Sequence, residues 1–160
     1  MIWRGRARGP LEKPSIASTP CGKRRDEANL LFETRYFWAI FRSKDRRTLR
    51  ELRAIYDRAD TAYVSSISIY EVYKQTIESE DAQVADVRVT TMENDFSIVD
   101  VDAEIAAEGA RISHRLRIPM ANSLIMATAK RLRVSCVTDD PHFTEVKRNW
   151  IRMKEPDDEK

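Results

Sequence analysis

The segment from Ile118 to Phe143, IPMANSLIMATAKRLRVSCVTDDPHF, constrains the fold of this chain more than any other. Ile118-Pro119 breaks the chain, because the residue before a proline is pushed out of the α region. Ala121 to Leu132 then has helical period, while Val134 to Val137 is short and apolar apart from Ser135, as a strand is. An apolar strand of that kind is buried on both faces, the habit of a central strand in a parallel sheet. The turn that follows, Thr138-Asp139-Asp140, falls at the carboxyl end of that strand. Open α/β sheets keep their ligand sites along that edge.

The rest of the chain has the same rhythm. Asn29 to Phe32 reads as a buried strand ending at Glu33. Tyr36, Phe37, Trp38 and Phe41 follow at helical spacing and read as core packing of a first helix rather than as a base-stacking platform. Lys44 to Ala59 is an amphipathic helix, and Thr61 to Ser65 a second strand. Ser68 and Glu71 have the S-x-x-E form of a capping box, opening a helix to about Ser79. A weaker helix spans Ala82 to Glu93, Phe96 to Val99 is a third strand, and Asp102 caps a helix to Arg115. Asn149 to Met153 adds an edge strand. Strands alternating with helices predict a single α/β domain over 28–153, with a central parallel sheet of about four to five strands flanked by helices.

Residues 1–27 hold three prolines and three of the four glycines but no hydrophobic period; they read as a flexible basic extension or an overextended start of the reading frame. Residues 154–160 form an acidic tail. Only 4 glycines and the lack of GxGxxG and GxxxxGK[ST] argue against a dinucleotide or P-loop enzyme. Net charge is +2, but arginines crowd the first sixty positions, a distribution suited to a phosphodiester ligand beside an acidic site. Cys21 and Cys136 form no CxxC motif, and His114 and His142 are too few for a histidine metal site. No apolar run approaches the ~18 residues of a membrane span, so no membrane role is expected and the cytoplasm is the default compartment.

Glu33, Glu71, Asn122 and Asp140 fall at strand ends or in the first turns of helices. Parallel strands end on one edge, so these groups can converge although they are far apart in sequence. Singly, each has a simpler account: Glu71 as the reciprocal half of the capping box, Asn122 and Asp140 as N-caps, Glu33 as a surface residue. Gathered together, carboxylates repel one another unless a cation is present. Mg²⁺ or Mn²⁺ held by oxygen ligands would supply the attacking hydroxide and the charge neutralisation that phosphodiester hydrolysis needs.

Four stretches carry a family resemblance: LLFETRYF, YVSSISIYEVYK, IPMANSLIMATA and VSCVTDDPHF. They resemble the PIN-domain family of metal-dependent nucleases and are most similar to its VapC-type toxin ribonucleases. The resemblance implies that Glu33, Glu71 and Asp140 hold the metal, with Asn122 as the fourth catalytic position. It assigns Thr34 and Thr138 to hydroxyls that orient ligands or water, with Asp139 an adjacent candidate. Arg35 and Arg42, close in sequence to Glu33, are then candidates for holding RNA phosphates. Two positions depart from the family pattern, Glu33 and Asn122 both standing where Asp is usual. The implied function is a Mg²⁺- or Mn²⁺-dependent endoribonuclease, the toxin of a toxin–antitoxin pair, with RNA and a cognate antitoxin as partners and homodimers common. The alternative is a weakened PIN fold that binds RNA or protein without cutting.

Overall fold

In the computed structural model, which describes residues 28–145 and 150–151, helices and strands alternate almost throughout. Strand β1 (Ala28–Phe32) leads to helices α1 (Thr34–Arg42) and α2 (Arg46–Asp57), then to strand β2 (Ala59–Ser65). Helices α3 (Ser66–Ser79) and α4 (Ala82–Asp95) precede strand β3 (Ser97–Val99). Helices α5 (Ala103–Leu116) and α6 (Met120–Leu132) precede β4 (Ser135–Val137), a 3-10 turn (Pro141–Glu145) and β5 (Trp150–Ile151). The strands form one parallel sheet in the order β3-β2-β1-β4-β5. The expected basic extension (1–27) and acidic tail (154–160), and Asn149, Arg152 and Met153 of the expected edge strand, lie outside the described residues.

Alternation along β1 divides the core, since successive side chains point to opposite faces. Leu30 and Phe32 join Tyr36, Phe37, Leu52, Val72, Met92 and Phe96 on the face covered by α1 to α4. Leu31 joins Ile105, Ile112, Ile125, Cys136 and Phe143 on the face covered by α5 and α6. The first face is held by edge-on aromatic contacts, with Phe32 and Tyr36 centroids 4.5 Å apart and Phe37 and Phe96 5.0 Å apart. On the second, α5 and α6 pack closely enough that a Cβ at Gly109 would lie 2.7 Å from Leu124 Cδ2. Arg117 and Arg133 close these helices at φ 58° and 57°, left-handed positions that glycine usually takes.

The strand β1 is the topological switch point. The chain moves outward through β2 and β3 on one side, then crosses to β4 and β5 on the other. The crossover leaves a crevice beyond the carboxyl ends of β1 and β4, where Glu33 N–H still donates to Val137 O at 3.2 Å. Among the described residues, no helix is long and apolar enough to cross a membrane.

Candidate active site

The first residue past β1 opens the site. Glu33 is the N-cap of α1, its Oε2 accepting from Arg35 N–H at 3.1 Å. The same oxygen accepts from Thr138 Oγ1 at 2.9 Å, so the turns after β1 and β4 are tied together across the crevice. Only 3% of Glu33 is exposed, against the sequence-based alternative of a surface residue. Burial pushes its carboxyl up to about 7; the two hydrogen bonds oppose that shift, and the charges of Asp140 and Glu71 add to it.

Glu71 arrives from α3. The capping box does not form: Ser65, not Ser68, caps this helix, accepting from Ile67 N–H. With the helix starting three residues earlier than that motif requires, Glu71 lies one turn further in and is released from capping. Its Oε2 accepts from Thr34 Oγ1 at 2.6 Å, and Thr34 is also hydrogen-bonded to buried Ser68 at 3.1 Å.

Asn122 and Asp140 meet from the other side. The N-cap of α6 is Pro119, with no side-chain cap bond, so Asn122 is not a cap. Its Nδ2 donates to Asp140 Oδ2 at 3.2 Å. Asp140 does cap the 3-10 turn, Oδ1 accepting from His142 N–H at 2.8 Å and standing 2.7 Å from His142 Nδ1. Asp140 N–H in turn donates to Thr138 Oγ1 at 3.0 Å. Thr138 is 1% exposed and sits beneath the site, linking Glu33 to Asp140. Arg35 Nε donates to Asp139 Oδ1 at 2.5 Å, which ties its guanidinium to the rim.

Glu33, Thr34, Glu71, Asn122, Asp139 and Asp140 all line one cavity of about 830 Å³. Among the described residues, no three His, Cys, Asp or Glu side chains stand close enough to form a ready-made metal cluster. The donor set nevertheless fits a hard divalent cation, being all oxygen, because Mg²⁺ is ordinarily held by one or two carboxylates with water completing its shell. A cation would also relieve the repulsion that Asp140 and Glu71 exert on the desolvated Glu33.

The cavity also takes in Arg42, expected beside the acidic site, and Trp38 and Lys44, which the sequence did not join to it. Tyr36 and Phe37 are core residues as expected, but Trp38 is only half-buried and faces this space. The signal was present: Thr34, Trp38 and Arg42 recur every four residues, along one helix face.

A parallel α/β sheet with an acid-lined, threonine-bridged cavity at its switch point defines the class of protein. The chain belongs to the PIN domain family, whose model matches residues 30–149. Solved structures share the fold at low identity. Mycobacterium tuberculosis VapC20, a sarcin-ricin loop cleaving toxin, is 11% identical over 78% of this chain and 99% of its own, with a TM-score of 0.66. The DNA-bound VapBC of Salmonella typhimurium is 14% identical over 79% and 99%, at 0.65. FitAcB from Neisseria gonorrhoeae is 20% identical over 77% and 96%, at 0.62. No curated protein sequence matches the chain.

Proposed function

We propose that this protein is a Mg²⁺- or Mn²⁺-dependent endoribonuclease, the toxin of a toxin–antitoxin pair. One observation carries the reading: carboxylates from three distant segments, Glu33, Glu71 and Asp140, line a single cavity at the switch point of a PIN fold. The VapC20 relative, described as a toxin cleaving the sarcin-ricin loop, supports RNA as the substrate class. The VapBC and FitAB neighbours, solved as toxin–antitoxin assemblies or on DNA, support a cognate antitoxin as partner. In this reading the protein works in the cytoplasm and pairs with a second copy of itself.

Glu33, Glu71 and Asp140 would hold the cation, which when bound neutralises charge on the scissile phosphate and acidifies a water. The chain's own residues keep these ligands aimed. Thr34 holds Glu71, Thr138 holds Glu33, and Asn122 and His142 grip opposite oxygens of Asp140. Side chains locked in this way limit the ångström-scale misplacement that costs rate.

A second reading, a PIN fold that binds RNA or protein without cutting, is favoured by two features. Asn122 gives Asp140 an amide donor instead of a fourth carboxylate, and among the described residues no three-carboxylate cluster is preformed. Incubating the protein and Asp140→Ala with labelled RNA and Mn²⁺ separates the two. Cleavage by the parent that the variant loses supports the nuclease; intact RNA with both supports the binder.

A further inference from the structure

The cavity is larger than a hydrated cation requires, and its lining changes character along α1. Thr34 touches Glu71 at the acidic end. Trp38 and Arg42 continue the same helix face, about 6 Å and about 12 Å further along at 1.5 Å per residue. Arg42 lays its guanidinium over the Trp38 ring, 4.1 Å from the centroid, and both residues line the cavity. Among the described residues Arg42 makes no ion pair, whereas Arg35 is committed to Asp139. Arg88 also approaches the indole, 5.7 Å from its centroid, while pairing with Glu80.

Trp38 itself is only half-buried. Its indole N–H is shut away from solvent with no acceptor among the described residues. Lys44 adds a cation to the same lining. A guanidinium laid over an indole, with a lysine in the same lining, suits a nucleobase and its phosphate. Unpaired bases stack on aromatic rings and arginine planes, whereas paired bases are hidden in the helix.

We infer that Trp38, Arg42 and Lys44 form a nucleotide subsite that stacks an unpaired base of single-stranded RNA next to the phosphate held at the acidic end. This rests on the nuclease reading for its choice of RNA. The subsite selects single-stranded over duplex substrate, and the guanidinium plane, not charge alone, gives the selection.

Anisotropy of a labelled oligouridylate of roughly ten nucleotides, a length within ordinary single-strand site sizes, tests it in Ca²⁺ with the RNA checked for integrity. Arg42→Ala weakens binding on the order of tenfold, the worth of one stacked base. Arg42→Lys, which keeps the charge, restores only part of it, and Trp38→Phe weakens binding by a smaller factor. A ribose-phosphate chain of equal length without bases binds the parent and Arg42→Lys alike. Single-stranded DNA reports whether the sugar is also read. Equal RNA affinity in the parent and Arg42→Ala overturns the subsite, and if antitoxin binding is lost instead, this surface belongs to a protein. If the parent cleaves RNA in Mn²⁺ while Arg42→Ala binds normally, only the subsite fails. If the parent binds by way of Arg42 but never cleaves, only the nuclease reading fails. A parent that neither binds nor cleaves overturns both.

Discussion

Asn122 donates its side-chain N–H to Asp140 Oδ2 at 3.2 Å, across 18 residues and between α6 and the turn after β4. An amide at this position does what a carboxylate cannot: it holds Asp140 by a hydrogen bond where a like charge would repel it. The site is thereby kept assembled with fewer negative charges, at the cost of one charged oxygen ligand for a cation.

Replacing Asn122 by Asp reverses that balance. Without divalent ions the variant is less stable by about 1–3 kcal/mol, since Asp140 loses a donor and gains a like charge. With Mn²⁺, affinity rises on the order of tenfold, because one more hard carboxylate oxygen faces the ion. Thermal melts in chelator and across a Mn²⁺ series read both effects. An Asn122→Asp protein that melts like the parent in both conditions contradicts this role for the amide.

The stability of the metal-free protein falls with rising pH because of Glu33. Its carboxyl titrates at about 7 in the folded chain, against 4.5 ordinarily. The folded state therefore binds the proton more tightly than the unfolded state. The resulting stability is complete below about 4.5 and is lost as pH rises through about 7. The difference corresponds to about 3 kcal/mol. Urea unfolding in chelator at pH 5 and pH 8 shows this loss in the parent and not in Glu33→Gln; an equal loss in both contradicts it.

Thr34→Val removes the hydroxyl that joins Glu71 to Ser68 while keeping the shape. Ser68 is fully buried, so the variant loses about 1–3 kcal/mol in urea unfolding. RNA cleavage falls as well, because Glu71 is no longer held. Full activity with Val at this position would show that Glu71 needs no such support.

How much of this was written in the sequence depends on whether the signal was local. Val134 to Val137 revealed a central parallel strand because a short run of Val, Cys and Val broken only by the small Ser135, followed at once by an acidic turn, leaves few alternatives. Glu33, Glu71, Asn122 and Asp140 were readable as strand-end and helix-start residues, and they do line one cavity. Ser68-x-x-Glu71 misled, because Ser65 offers a cap one turn earlier, and only the end of β2 decides between them. Trp38 was hidden among Tyr36, Phe37 and Phe41: four aromatics on one helix read as core, and only its place opposite Glu71 and Gln75 shows it facing the cavity. Arg35 lay beside Glu33 in sequence, yet its partner Asp139 is 104 residues away.

Packing between α5 and α6 gives a check on the scaffold independent of the site. Gly109→Ala sets a methyl group 2.7 Å from Leu124 Cδ2. Overpacking of this kind costs about 1–3 kcal/mol. Its gain in helix propensity returns only about 1 kcal/mol. A lower thermal midpoint is expected, and a higher one would show that α5 and α6 are less closely set.

Binding of Mn²⁺, followed by electron paramagnetic resonance on the parent, Glu71→Gln and Asp140→Asn, tests the central claim most directly. The account predicts saturable binding to the parent that each neutralised carboxylate weakens at least on the order of tenfold, the two sharing one ion. Mn²⁺ that fails to bind the parent, or binds both variants as tightly, contradicts it.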